Sequence, residues 1–200
     1  MNFIQSLSVF DIPGEQTLSF TGHRPDKLPQ NSLLVPLLDT LYYYIDEALH
    51  RGYLLFLDGM ADGIDYLAAE YLFQKRLQFP AVRIIGIQPC RNYEAFFLER
   101  YCNLSHLHRM QQMFDAILCL EGEYHRDYIQ ENDLLFRNRN CFLVDHAYAL
   151  IAVCSLERSG SKQTVDYAKY QNLSVCRIEA NPQLFYTPTP EQWPVEKFNF

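Results

Sequence analysis

Short apolar runs alternate with amphipathic stretches along most of the chain. Thr17 to Thr21 (TLSFT) is the first apolar run, and Gly22-His23-Arg24-Pro25 is the turn behind it. Past Asn31 and Ser32, which can cap a helix, Leu34, Leu37, Leu38, Leu41, Ile45, Ala48 and Leu49 recur at helical spacing and predict one helix stopped at Gly52. Tyr53 to Leu57 predicts a second strand, Asp58 to Gly63 its turn, and Ile64 to Arg76 a helix with Ile64, Leu67, Ala68, Tyr71 and Leu72 inward. Ala81 to Ile87 predicts the third strand, Asn92 to Met113 a weakly patterned helical stretch, and Asp115 to Leu120 the fourth strand. A helix over Leu134 to His146, a fifth strand over Ala149 to Cys154, a helix over Lys162 to Gln171 and a sixth strand over Ser174 to Glu179 complete the rhythm.

Strands alternating with helices predict an α/β fold: a Rossmann-like three-layer sandwich, with a mostly parallel sheet of six or more strands and helices on both faces. The domain spans 17–180, behind an N-terminal extension (1–16). The C-terminal tail (181–200) holds four prolines and several aromatics but no clear period. It either packs on its own domain or meets another subunit or a protein partner.

With 200 residues, 48% of them hydrophobic, the chain can bury a sizeable core as one domain. Its formal charge of -7 argues against a broad cationic face for nucleic acid, though a local basic pocket stays compatible with it. No apolar run is long enough to span a bilayer, and the first residues lack the pattern of a signal peptide, so a cytoplasmic protein without a membrane partner is expected. The six cysteines stand apart with no CxxC pair, and the histidines have no companions at ligand spacing, so no metal site is expected. The cysteines read as buried structural thiols.

In an open parallel sheet, ligands collect at the carboxyl ends of the strands, where helix N-termini offer unpaired N–H groups to anions. Three turns occupy such ends. In Thr21-Gly22-His23-Arg24, glycine permits close backbone approach and arginine supplies a forked donor for phosphate; a structural turn explains the same residues. In Asp58-Gly59-Met60-Ala61-Asp62-Gly63-Ile64-Asp65, two glycines bracket a helix start, and Asp62 or Asp65 either holds ribose hydroxyls or caps the helix. In Ser159-Gly160-Ser161-Lys162-Gln163-Thr164, glycine and hydroxyls suit an anion nest or a plain cap, without Walker spacing. Arg137-Asn138-Arg139-Asn140, on the helix before strand five, would bring arginines to the same rim or form a solvated face.

Taken together, FTGHRPDKLP (from Phe20), DGMADGIDYLAAE (from Asp58), RNRNCFLVDHAYALIAV (from Arg137) and SGSKQTVDYA (from Ser159) resemble the YpsA-like branch of the SLOG superfamily. That superfamily includes the Lonely Guy phosphoribohydrolases and DNA-processing protein A. The resemblance spans roughly residues 17 to 179. It implies a Rossmann-like fold and a nucleotide-derived ligand such as ADP-ribose, NAD or an adenine nucleotide. It also aligns Arg139-Asn140 with the YpsA-like Arg-Asn pair six residues before an aspartate, here Asp145, and Arg139 with the catalytic arginine of Lonely Guy enzymes. Where those enzymes carry PGGxGTxxE, this chain has Ser159 to Thr164, and Tyr167 replaces the catalytic glutamate.

The ligand-binding set expected from these readings is Thr21, Gly22, His23, Arg24, Gly59, Met60, Ala61, Asp62, Gly63, Asp65, Arg139, Asn140, Gly160, Ser161 and Thr164. A sensor or regulator of nucleotide-derived ligands is the leading expectation. Hydrolysis of a nucleotide N-glycosidic bond is the second, with Arg139 on the phosphate and Asp65, Glu70 or Asp166 as the carboxylate that such chemistry needs. A single-stranded nucleic-acid or protein-interaction module is the third, and a homo-oligomer fits any of them. Arg139 is expected to be exposed, so that its loss would spare stability, and Gly63 to leave room for a ligand.

Overall fold

A computed structural model describes residues 2–183 and 188–200. Residue 1 of the N-terminal extension and residues 184–187 of the C-terminal tail lie outside the described residues. The strands are β1 (Phe3–Ile4), β2 (Thr17–Gly22), β3 (Leu55–Asp58), β4 (Arg83–Gln88), β5 (Ala116–Cys119), β6 (Ala149–Val153), β7 (Ser174–Ile178) and β8 (Val195–Phe198). The helices are α1 (Leu34–His50), α2 (Ile64–Lys75), α3 (Tyr93–Tyr101), α4 (Ser105–Met113), α5 (Ile129–Asp145) and α6 (Gly160–Tyr170). All strands form one sheet in the order β1-β5-β4-β3-β2-β6-β7-β8, parallel except for the antiparallel β7–β8 pair. This is the expected Rossmann-like α/β sandwich.

The six central strands are buried at nearly every position because both faces of the sheet are covered there. Successive side chains point to opposite layers: Phe20, Phe56 and Ile84 meet α1, α2, α3 and α4, whereas Leu55, Leu57, Ile85 and Ile87 meet Leu143 of α5. Val165 and Ala168 of α6 pack with Leu150 and Ala152 on that second face. The chain builds outward from β2 through β3 and β4 to β5 with helices on the first face. It then crosses to β6 beside β2 and continues to β7 with helices on the second. Right-handed crossovers require this change of face when the direction of strand addition reverses. The reversal leaves a crevice at the carboxyl end of the sheet, between β2 and β6.

Two elements differ from the sequence expectation. The stretch from Asn92 to Met113 is broken at Cys102, which ends α3 in the left-handed region (φ 55), so its apolar residues serve two short helices. Helix α5 starts at Ile129, ahead of the expected Leu134, after a Tyr128 that makes no side-chain cap. Both chain ends add an edge strand: β1 pairs with β5, and β8 with β7. Cys90, Cys154 and Cys176 are buried as expected, but Cys102 is exposed at the α3–α4 corner, where no core lies beneath it.

Trp193, 3% exposed, sits in the core and donates through Nε1 to the Glu179 carbonyl at 2.8 Å. Arg177 holds β8 through Glu196 Oε2 at 2.9 Å. Trp193→Ala leaves a cavity and an unpaired carbonyl, and should destabilise the fold by roughly 3–5 kcal/mol in urea unfolding. An unchanged midpoint would mean that this segment only decorates the domain.

Candidate functional site

Three loops meet at the crevice because small residues let their backbones touch. Past β2, the His23 N–H still donates to Val153 of β6 at 2.9 Å, and the His23 carbonyl accepts from Ile64 at the start of α2 at 3.2 Å. A methyl group on Gly63 would stand 2.5 Å from that carbonyl oxygen and 2.9 Å from Arg24 Cα, and Gly63 itself has φ +96. A methyl group on Gly22 would run into the side chain of Ile64. These glycines therefore admit one loop to another; the expectation that Gly63 clears space for a ligand is corrected. The third loop is tied in by Ser161 Oγ, which donates to the Gly22 carbonyl at 2.7 Å, while Ser159 Oγ caps α6 by accepting from Lys162 N at 3.1 Å.

Between the loops and the N-terminal half of α5 lies a cavity of about 750 Å³. Of the expected binding residues, Thr21, Gly22, His23, Arg24, Ala61, Asp65, Arg139, Asn140, Gly160 and Ser161 line it. The others serve the scaffold. Met60 is fully buried, with its carbonyl accepting from Tyr93 Oη at 3.0 Å. Asp62 accepts from Gly63 N at 2.8 Å and from His106 Nδ1 at 2.9 Å. Thr164 Oγ1 donates to the Gly160 carbonyl within α6. Of the carboxylates weighed for hydrolysis, only Asp65 reaches the cavity: Glu70 pairs with Arg109 at 2.7 Å, and Asp166 pairs with Lys162 on α6.

Arg139 is 7% exposed, which corrects the expectation of an exposed arginine. Its Nη1 donates to the Gly59 carbonyl and lies 3.9 Å from Asp65 Oδ2, and its Nε donates to Asn140 Oδ1 at 2.8 Å. A side chain at Gly59 would collide with the guanidinium, so this glycine makes room for Arg139 and not for a ligand. Beneath them Asp58 is fully buried; its Oδ1 accepts from Met60 N at 2.6 Å, and its Oδ2 has no partner among the described residues. Burial pushes the Asp65 carboxyl up to about 6, against the opposing pull of Arg139. Burial first and the neighbouring Asp65 second push Asp58 well above the usual carboxylate range. Both carboxyls therefore hold a proton more tightly than an exposed aspartate does.

His23 is held below its ordinary value, by burial first and by Lys27 second. The Ser155 N–H donates to its Nε2 at 3.1 Å, which requires an unprotonated Nε2 and hence a neutral ring. The cavity wall is nonetheless cationic: Arg24, Lys27, Arg100, Arg137 and Arg139 face only the carboxylates of Asp65 and Asp133. Among the described residues Arg24, Lys27 and Arg137 make no ion pair, whereas Arg100 meets the exposed Asp26 at 3.5 Å. Lys27, Arg100, Asp133 and Gln130 were not legible as site residues, because nothing in their spacing links them to the three loops. The early start of α5 brings Gln130 and Asp133 to the rim.

No family model matches the chain. It is 25% identical over 159 residues to the UPF0398 protein YpsA of Bacillus subtilis (strain 168), covering 73% of this chain and 79% of that protein. Its fold is similar to that of DNA processing protein A from Helicobacter pylori, whose structure was described for its single-stranded DNA binding mode. That likeness has a TM-score of 0.57 and 18% identity, and covers 94% of this chain and 74% of the other. DNA processing protein A (DprA) from Streptococcus pneumoniae matches with a TM-score of 0.56 and 16% identity over 90% of this chain and 54% of the other. The resemblance to YpsA-like proteins read from the motifs therefore extends over most of the chain, and the fold is shared with DprA proteins.

Arg139→Ala should cost roughly 3–5 kcal/mol, because it strands the buried Asp65 without its cation. Urea unfolding at neutral pH measures this, and a variant as stable as the parent would return Arg139 to the solvated face. A second measurement follows from the raised Asp65 carboxyl. Asp65 binds its proton more tightly when folded, at about 6, than when unfolded, at about 3.9. Its contribution to stability is therefore full below about pH 4 and lost as the pH rises through about 6. Asp65→Asn, which keeps an acceptor for Ala61 N and removes the titrating group, should flatten this fall between acid and neutral pH. Parallel profiles for parent and variant would place the proton elsewhere.

Proposed function

We propose that the chain binds a nucleotide or nucleotide-derived ligand, of the ADP-ribose, NAD or adenine-nucleotide kind, in this cavity as a sensor or regulator. The observation that carries the reading is the charge of the cavity. A chain of net charge -7 gathers four arginines and a lysine around this cavity, and among the described residues leaves Arg24, Lys27 and Arg137 without protein counter-ions. The position supports it too, since ligands of open α/β sheets bind where the order of strand addition reverses. The volume, about 750 Å³, lies in the ordinary range for small-molecule sites.

In this reading Arg24 and Lys27 meet phosphate oxygens, together with the N-terminus of α6 at Gly160 and Ser161, where backbone N–H groups and the helix dipole favour an anion. Arg139 has Nε and Nη1 engaged and contributes Nη2, while Asp65 and Asn140 accept from ribose hydroxyls. A single-stranded nucleic-acid ligand is the second reading, favoured by the likeness to a protein described for that binding mode. The acidic surface outside the cavity opposes it.

Calorimetric titration with AMP, ADP, NAD and ADP-ribose tests the proposal. At least one should bind, and Arg24→Ala should weaken it by about tenfold or more without moving the melting temperature, because among the described residues the Arg24 side chain makes no hydrogen bond or ion pair whose loss would be felt. No heat from any of them at millimolar concentration would overturn the reading. Binding of a single-stranded oligonucleotide that falls steeply with salt would put the second in its place. Release of free base from AMP would assign hydrolysis to the cavity, with Asp65 as its carboxyl group.

A further inference from the structure

His23 fastens different loops with its backbone and with its ring. The backbone ties the end of β2 to β6 and to the start of α2, through the bonds to Val153 and Ile64. The ring belongs to a residue only 3% exposed and faces the loop after β6: Nε2 accepts from the Ser155 N–H at 3.1 Å and lies 3.1 Å from Ser155 Oγ. The loop has two fixed ends. Cys154 N donates to Ile178 of β7 at 3.1 Å, and Ser161 holds the start of α6 to the Gly22 carbonyl. Among the described residues, positions 155–158 make no hydrogen bond or ion pair to the rest of the chain besides those to His23. Between its ends, the loop hangs on one imidazole nitrogen.

That nitrogen accepts only while it carries no proton. Protonation makes it a donor, sets its N–H against the Ser155 N–H and forfeits the bond. The charged groups facing the ring are Lys27 and Asp26 from the turn after β2, Glu157 from the loop itself and Glu179 from beyond the end of β7. Burial, with Lys27 next, favours the neutral ring and lowers its hold on a proton, whereas the three carboxylates draw a proton towards it. The imidazolium therefore forms below the ordinary histidine range, in mild acid.

We propose that His23 is a pH-operated latch: its neutral ring holds the loop after β6 against the large cavity, and its protonation lets positions 155–158 go. The part of the cavity wall where this loop turns into α6, at Ser159 and Gly160, is thereby firm at neutral pH and loose in acid. The latch works in the same way whatever the cavity binds, so it stands or falls apart from the nucleotide-binding reading.

Amide hydrogen exchange and histidine NMR on the full chain, between about pH 7.5 and about pH 5, read this out. The protection factor of the Ser155 amide should fall by about tenfold or more as the His23 ring takes up its proton, one hydrogen bond being worth that much. The amides of His23 and Ile64, which serve the backbone bonds of the same residue, should keep their protection. His23→Gln, whose amide oxygen accepts without titrating, should hold Ser155 equally at both ends of the range. A ring still neutral at about pH 5 overturns the latch, as does Ser155 protection that stays constant while the ring titrates. Loss of all three amides together, or the same fall in His23→Gln, overturns it too, and if that variant does not fold the parent profile decides alone.

Discussion

A guanidinium buried over a glycine organises the carboxyl end of this sheet. Arg139 reaches in from α5 to the carbonyl of Gly59 and to Asp65, and it can do so only because position 59 has no side chain. A buried charge is tolerated when its hydrogen bonds and counter-charge are supplied. Here the backbone of one loop, the first turn of α2 and the neighbouring Asn140 supply them. The bond fastens α5 to the loop after β3, and so sets the height of the cavity wall that α5 provides. Gly22 and Gly63 do the corresponding work among the three loops by contacts that a side chain would prevent, and Ser161 by its hydrogen bond to the Gly22 carbonyl.

With that floor in place, an acidic protein presents a cationic recess. Of the two buried carboxyls nearest the recess, Asp65 faces Arg139, and burial raises the hold of both Asp58 and Asp65 on a proton. Besides Asp65, the recess is lined by one more carboxylate, Asp133 on α5.

The six central strands were legible because parallel strands covered on both faces are apolar at nearly every position. The edge strands were not. β1 is two residues long, and β8 presents Glu196 and Lys197 to solvent, so neither carries a strand pattern. The corner at Cys102 was hidden because a non-glycine residue takes the left-handed conformation there. The three loops were legible through glycine and hydroxyl residues at strand ends, but the role of the glycines was not: close approach to a ligand and close approach to another loop leave the same trace in a sequence. Arg139 looked solvated because its neighbours in Arg137-Asn138-Arg139-Asn140 are polar; the tertiary contact with Gly59 buries it and leaves Arg137 exposed.

The structure of a complex with ADP tests the central claim most directly. The account places the diphosphate in the larger cavity, with oxygens in hydrogen-bonding reach of Arg24 and of the amides that open α6, and with Arg139 still bonded to the Gly59 carbonyl. A saturated complex that carries the nucleotide elsewhere on the surface, with the recess between β2, β6 and α5 unfilled, would contradict it.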